Sequence, residues 1–448
     1  METLLIKGNE ALTEGAIRGG CRFYAGYPIT PQTEILEMMS WRQKEVGGVF
    51  VQGESEIASV NMVMGACALG ARAMTSSSGP GFSLKQEGIA YWVSAGLPVV
   101  VACVQRYGIG DGFIGAGQDN YWQAVKGGGN GDYHLIVLAP NCVQENMDMA
   151  YESFELAEKY MHPVLILSDA CIGQMIEPCV APPMKEYDMD KAPWAAKGTP
   201  VGQKNKVITD ITYFEDQDIW QKGYIEKMRK IQEDEQRWEE ISIEDADVVF
   251  VAYGISSRVA EGAVREGRKQ GLKLGIIRPK TLWPYPRKAF KKLPETLKGL
   301  VTVEMNMMAQ MKEDVIIACE NKYPVYSAAT AQHMPEVDQL VEFAKENNIL
   351  IIHDNAYSDI IYDGKEGKSF LSFPGAKEVG VEFYSLSKSY NYTGARMSFV
   401  IGNAKVIEVF KRFRSQIDYG IFLPVQAGAV AALYSDDTAV KEQCAAYQ

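Results

Sequence analysis

The sequence predicts an α/β protein: a doubly wound parallel sheet, then a second, smaller α/β domain, then a third α/β block. Three observations carry this. Between residues 21 and 169, short apolar runs ("CRFYAGYP", "GGVFVQGE", "ARAMTSSSG", "PVVVACVQR", "YHLIVLAP", "HPVLILSD") alternate with helix-length segments, the pattern of parallel strands covered on both faces. The alternation restarts at "DVVFVAYG", passes through "SRVAEGAVREGRKQG" and "KLGIIRP", and continues to "LVTVEMN" and "YPVYS". It restarts once more with "ILIIHDNAYSD", "VEFYSLSK" and "MSFVIGN".

The first block spans residues 1–235. Its tail from about 172, "EPCVAPPMKEYDMDKAPW", is Pro-rich and reads as a linker or an extended arm. "EKMRKIQEDEQRWEEI" (226–241) reads as a charged helix with a solvated face. The second block, 246–328, switches cleanly between strand and helix periods and predicts three or four parallel strands. The third, 331–448, opens with the helix "MPEVDQLVEFAKENN" and closes with the helices "AKVIEVFKRFRSQID" and "PVQAGAVAALYSDD".

Composition excludes several function classes. The 448 residues are 47% hydrophobic, enough for sizeable cores, and the longest apolar runs ("LPVVVACV", "PVLIL") are far short of a membrane span. No basic segment followed by an apolar stretch opens the chain, so no secretory signal is read and a cytoplasmic location is the expectation. A net charge of −12 argues against nucleic acid. None of the eight cysteines forms a C-x-x-C pair and the four histidines lack ligand spacing, so no metal site is expected.

Three stretches of the first block carry candidate chemistry. In "AGYPITPQTEI" a strand ends at Tyr27 and two prolines brace Thr30, with Pro31 holding it extended. The loop reads either as a ligand-binding turn at a strand's carboxyl end or as a helix start capped by Thr30. In "GESEIASVNMVMGA", Glu54 and Glu56 open a helix. A carboxylate there complements the helix N-terminus, or, if buried, can move a proton. "TSSSGPGFS" (75–83) has the hydroxyl and glycine density of a ligand-lining loop or of a plain turn. "GDGFIG" (110–115) fits G-x-G-x-x-G, but "AGQDNYW" does not continue a dinucleotide unit.

Together with "VQRYG" and "GGGNGDYHLIVLAP", these motifs resemble, in the same order, the alpha subunits of the 2-oxoacid:ferredoxin oxidoreductases, most nearly the branched-chain (3-methyl-2-oxobutanoate) type, over residues 1–328. The resemblance implies a thiamine-enzyme-like first domain and a transketolase-C-like second, the latter on "IIRPKTLWPYP" and "VTVEMNM". It implies oxidative decarboxylation of a 2-oxoacid to an acyl-coenzyme A, with electrons passing to ferredoxin. Thiamine diphosphate and its Mg would be shared with a beta subunit, and iron–sulfur clusters would lie on partner chains, among them gamma and ferredoxin-like subunits. Motif position gives Glu56 the contact with the coenzyme's aminopyrimidine. Thr30 falls near the substrate's carbonyl and carboxylate, and Arg106 near its carboxylate. Without the resemblance, Arg106 would read as a surface ion-pair residue. Asp111 would fall in a substrate-access loop, and Asn141 at a strand end capping a helix rather than in a magnesium motif.

The third block resembles the middle of a class I/II aminotransferase large domain. On its motifs Asp354 matches the pyridinium acid, Tyr357 the ring-hydroxyl tyrosine, Ser385 and Arg396 phosphate ligands, and Lys388 the imine lysine. Ser398 stands where that family has glycine, and no Asn-Pro dipeptide occurs. The Gly/Ser phosphate loop and the small domain of such enzymes are also missing. The expectation is a truncated fragment, joined near residues 325–335, whose pyridoxal phosphate motif is a remnant that holds no cofactor. An active pyridoxal enzyme and a noncatalytic assembly subunit are the alternative readings.

Overall fold

A computed structural model describes residues 2–199, 201, 217–329, 345, 350–361, 367–417, 420–436 and 438–447. The chain forms two compact units, residues 1–332 and 333–448. The expected helix "MPEVDQLVEFAKENN" lies, apart from Lys345, outside the described residues.

The strands of the first unit are β1 (Glu2–Lys7), β2 (Phe23–Gly26), β3 (Val49–Gln52), β4 (Ala73–Ser77), β5 (Val100–Gln105), β6 (Ile136–Leu138), β7 (Val164–Asp169), β8 (Ile176–Ala181), β9 (Trp238–Ile241), β10 (Val248–Ala252), β11 (Leu274–Pro279), β12 (Thr281–Trp283), β13 (Gly299–Glu304) and β14 (Val325–Ala329). The main sheet has the order β12-β6-β7-β5-β4-β2-β3. It is parallel except for β12, which pairs antiparallel with β6. Its central strands are apolar at consecutive positions because both faces are covered. Val100, Ala102 and Val104 of β5 pack with Tyr24 and Ile166 on one face. Val101 and Cys103 pack with Trp92 and Leu165 on the other.

The second sheet has the order β14-β13-β10-β11-β9. Four strands are parallel, and β9 adds antiparallel to β11. Two expectations are corrected here. The charged helix runs Gln217–Asp234 and stops short, because residues 238–241 form β9. Part of the predicted arm is strand β8, which pairs with β1 in a separate two-stranded sheet.

Buried charges tie the two sheets' layers together. Arg278 on β11, 2% exposed, donates from Nη1 and Nη2 to the two carboxylate oxygens of Glu145, each at 2.7 Å. Its Nε and Nη2 also donate to Glu239. Burial raises the Glu145 pKa, but Arg278 and then Lys280 outweigh that and hold it at about 2. Asp169 at the end of β7 is fully buried and accepts from two helix starts, Ile172 N at 3.0 Å and Ile255 N at 2.9 Å.

The second unit contains β15 (Ile351–Asp354), β16 (Gly380–Ser385) and β17 (Ser398–Gly402). β15 and β16 are parallel, and β17 runs antiparallel to β16. The helices Ala404–Ile417, Leu423–Leu433 and Thr438–Tyr447 follow. Ile352, Val409, Phe413, Phe422 and Leu423 are each more than 60% exposed, so this block leaves much apolar surface uncovered.

Arg278→Met is expected to destabilise the first unit by about 3 kcal/mol near neutral pH, since it leaves Glu145 buried without its main partner. The folded Glu145 pKa lies below its ordinary 4.5, so the stabilisation is complete above that value and is lost as pH falls towards about 2. Denaturant unfolding of both proteins should therefore show a deficit that shrinks in acid.

Candidate active site

The order in which strands are added reverses about β2, which has β3 on one side and β4 on the other. The crevice beyond the carboxyl ends of such strands is where open α/β sheets bind ligands. Thr30 follows β2, Glu56 follows β3, the turn Ser78–Gly81 follows β4 and Arg106 follows β5. Gly53 N donates to Gly26 O at 3.0 Å, tying the first two loops together. Ser55 then caps the helix Glu56–Ala68, its Oγ accepting from Ala58 N at 3.1 Å. The neighbouring helix starts at Thr33 with Gln32 at its cap position, so Thr30 is not a helix cap.

Glu56 is 5% exposed and Arg106 6%. Arg106 is thus no surface ion-pair residue. Its Nη1 donates to the carbonyl of Thr30 at 3.0 Å, and its Nη2 donates to the Asp111 carbonyl and, at 3.2 Å, to the Asp111 carboxylate. The glycine turn runs between the two buried charges. A Cβ on Gly79, whose φ is +42°, would stand 2.8 Å from Arg106 Nε. A Cβ on Gly81 would stand 2.4 Å from Glu56 Oε1 and 2.5 Å from Ser77 Oγ. Only a bare backbone fits here.

The site holds polar atoms awaiting partners. Ser77 Oγ, Ser78 Oγ and Arg106 Nε are buried without a hydrogen bond. The Glu56 carboxylate accepts none among the described residues, and the exposed Thr30 hydroxyl makes none either. Buried polar groups are normally satisfied, so a cluster of orphans around one glycine turn fits a ligand that brings its own donors and acceptors. The residues present therefore suit a coenzyme that offers a ring nitrogen to Glu56.

Asp111 lies exposed in the loop after Arg106. Phe113 N closes the loop onto Tyr107 O at 2.7 Å, while Ile109 and Ile114 are 87% and 70% exposed. Asn141 donates its amide to Ser257 Oγ at 3.2 Å, and the helix Val143–Tyr160 starts after Cys142, so Asn141 neither caps it nor meets Asp111. Among the described residues no group of three His, Cys, Asp or Glu could hold a metal ion.

One site residue escaped the sequence reading. Lys85 is fully buried, with Nζ donating to Thr75 Oγ1 at 3.0 Å and reaching Glu56 O at 3.4 Å. Its only signal was position, two residues after the serine of "GPGFS".

In the second unit, Asp354 ends β15 opposite Phe383 of β16, and Ser385 and Lys388 follow from the same strand. Lys388 Nζ lies 5.4 Å from the Tyr357 ring centroid, and both line a cavity of about 480 Å³. Asp354, Ser385 and Arg396 do not line it. Asp354 and Arg396 are exposed, Arg396 donating to Thr393 O, and Ser385 Oγ accepts from Ser387 N at 3.2 Å. Two of the five motif residues are brought together, and three are not.

Residues 14–246 match the family profile described as pyruvate flavodoxin/ferredoxin oxidoreductase, thiamine diphosphate-binding, and 246–339 match pyruvate:ferredoxin oxidoreductase core domain II. Ketoisovalerate oxidoreductase subunit VorB of Methanothermobacter marburgensis is 48% identical over 318 residues, covering 71% of this chain and 90% of the relative. The chain belongs to the 2-oxoacid:ferredoxin oxidoreductase family. The 2-oxoglutarate synthase subunit KorA of Methanocaldococcus jannaschii is 36% identical, covering 71% and 94% of the two chains. A solved 2-oxoglutarate:ferredoxin oxidoreductase from Magnetococcus marinus superposes with a TM-score of 0.65 at 26% identity, over 77% of this chain and 65% of that one. Residues 308–448 match aminotransferase class I and II. LL-diaminopimelate aminotransferase of Dehalococcoides mccartyi is 43% identical over 126 residues, 28% of this chain and 32% of the relative, so the oxidoreductase subunit carries about a third of an aminotransferase.

Gly81→Ala should displace the Glu56 carboxylate without unfolding the protein. Thiamine diphosphate affinity of the purified complex, measured by calorimetry, should fall about tenfold or more, while the unfolding free energy changes by less than about 1 kcal/mol.

Proposed function

We propose that this chain is the alpha-type subunit of a complex that oxidatively decarboxylates a branched 2-oxoacid, 3-methyl-2-oxobutanoate in the first instance, to its acyl-coenzyme A. The observation that carries the reading is the buried, unpartnered Glu56 carboxylate at the β2/β4 crevice, beside the Gly79–Gly81 turn. The greater identity to the ketoisovalerate relative than to the 2-oxoglutarate one, 48% against 36%, supports the branched substrate. Thiamine diphosphate, when bound, supplies the nucleophilic carbon that attacks the 2-oxo group and takes up the electrons left by departing carbon dioxide.

In this reading Glu56 holds a proton at the coenzyme's ring nitrogen, and its dry surroundings make that bond strong and preorganised. The Thr30 hydroxyl faces the substrate's carbonyl. Arg106 presents its fork to the substrate's carboxylate, which takes the place that Asp111 holds here. A beta subunit completes the cleft and holds the diphosphate with Mg. Iron–sulfur clusters on partner chains, with gamma and ferredoxin-like subunits, carry electrons to ferredoxin. Three blocks, 1–235, 246–328 and 331–448, divide the chain, with the join to the aminotransferase piece near 325–335, inside the overlap of the two family matches at 308–339.

Glu56→Gln keeps the packing and removes the acid. In the complex co-expressed with its beta partner it should lower 3-methyl-2-oxobutanoate-dependent viologen reduction by about a hundredfold or more. An unchanged rate would overturn the assignment, and a higher kcat/KM for 2-oxoglutarate would overturn the substrate.

The Lys388 block is read as a remnant, because its acid and its phosphate arginine lie outside the cavity that holds the lysine. The purified chain mixed with pyridoxal phosphate should develop no bound near-visible band, and borohydride should leave Lys388 unlabelled. A stable label on Lys388 would establish a second cofactor site.

A further inference from the structure

A lysine with no exposed surface stands directly behind the proposed proton-holding group, and nothing so far uses it. Its ammonium is wedged between β4 and the first turn of the Glu56–Ala68 helix, on Thr75 Oγ1 at 3.0 Å and Glu56 O at 3.4 Å. Thr75 Oγ1 in turn donates to Ala25 O on β2 at 2.6 Å. One chain of contacts therefore links Lys85 to the two strands that flank the crevice and to the helix that presents Glu56. Both oxygens that Lys85 meets are neutral. An ammonium buried on neutral oxygens is costly, and the charged group acting on it is Glu56.

We propose that Lys85 is a positioning residue for the coenzyme: its ammonium, held on Thr75 Oγ1 and Glu56 O, fixes the first turn of the Glu56–Ala68 helix against β4 and so the place from which Glu56 meets the pyrimidine ring. This rests on the reading of Glu56 given above. The cost falls on the lysine itself. Burial lowers its pKa to about 7, against the opposing pull of Glu56. The folded value lies below the unfolded one, so the charged form is disfavoured by folding. The resulting destabilisation is complete below about pH 7 and fades as pH rises towards the unfolded lysine value of about 10.4. A residue kept only for stability would show the opposite sign.

The test uses the complex purified with its partner subunits, thiamine diphosphate with Mg as the probe, and Lys85→Met, which matches the side chain's length without its charge. At about pH 6, where the wild-type lysine is charged, the variant should bind thiamine diphosphate about tenfold more weakly and yet unfold at a higher temperature. At about pH 8.5, where the wild-type lysine has lost most of its charge, the two affinities should converge. Equal affinities at the lower pH, or a deficit of the same size at both, would overturn the proposal. So would a lower unfolding temperature at the acidic end. Lys85→Gln gives the same comparison if the methionine variant does not assemble. Glu56→Gln is measured alongside. If it is weak while Lys85→Met binds normally, only the role of Lys85 fails; if it binds like wild type, the Glu56 reading beneath fails.

Discussion

The candidate site depends on the close approach of a bare backbone turn to two buried charges. Gly79 and Gly81 leave no room for a Cβ because Arg106 and Glu56 already stand there. The turn keeps the charges apart and shields them from water, while leaving each partly unsatisfied. A parallel sheet makes this possible: four neighbouring strands deliver their carboxyl ends to one edge, so residues far apart in sequence meet over a short distance. Everything chemical in the first unit follows from that geometry.

Burial of charge is handled differently away from the site. Arg278 has two carboxylate partners, and Glu145 accepts from Arg278, Lys280 and the backbone of Asn141. Asp169 uses both oxygens on backbone donors, and burial still lifts its pKa to about 6. These groups are saturated and serve to fasten layers. Ser77 Oγ, Ser78 Oγ and the Nε of Arg106 are instead buried without a partner around the one glycine turn that meets the Glu56 carboxylate, and such a cluster fits a ligand that completes their bonding.

Much of this was legible in the sequence because it is local. The strands of the main sheet are continuous apolar runs, and the two residues that the resemblance singled out, Glu56 and Arg106, both follow the carboxyl ends of strands in that sheet. What escaped was nonlocal. β1 and β8 each lack a strong strand pattern and exist by pairing with each other across the domain. The three residues of β12 belong by sequence to the second block, yet they extend the first block's sheet. The charged segment ends its helix early because residues 238–241 find an open edge at β11. Lys85 was invisible for a related reason. A lone lysine in a polar stretch reads as solvated, and only the fold reveals that β4 and the Glu56 helix close over it.

The Asp169 contact also bears on how such chains can be recombined. Its second oxygen is spoken for by Ile255 N, and Gly254, at φ +56°, has no space for a Cβ beside it. A foreign domain spliced in after residue 246 would have to present a helix start with the same glycine at the same spot, or strand a buried anion. Among the described residues no such lock guards the far side of the second sheet, where β14 is the outermost strand and Tyr326 is 61% exposed. The match to aminotransferase class I and II begins at residue 308 and takes in this outer strand, well clear of the Asp169 lock.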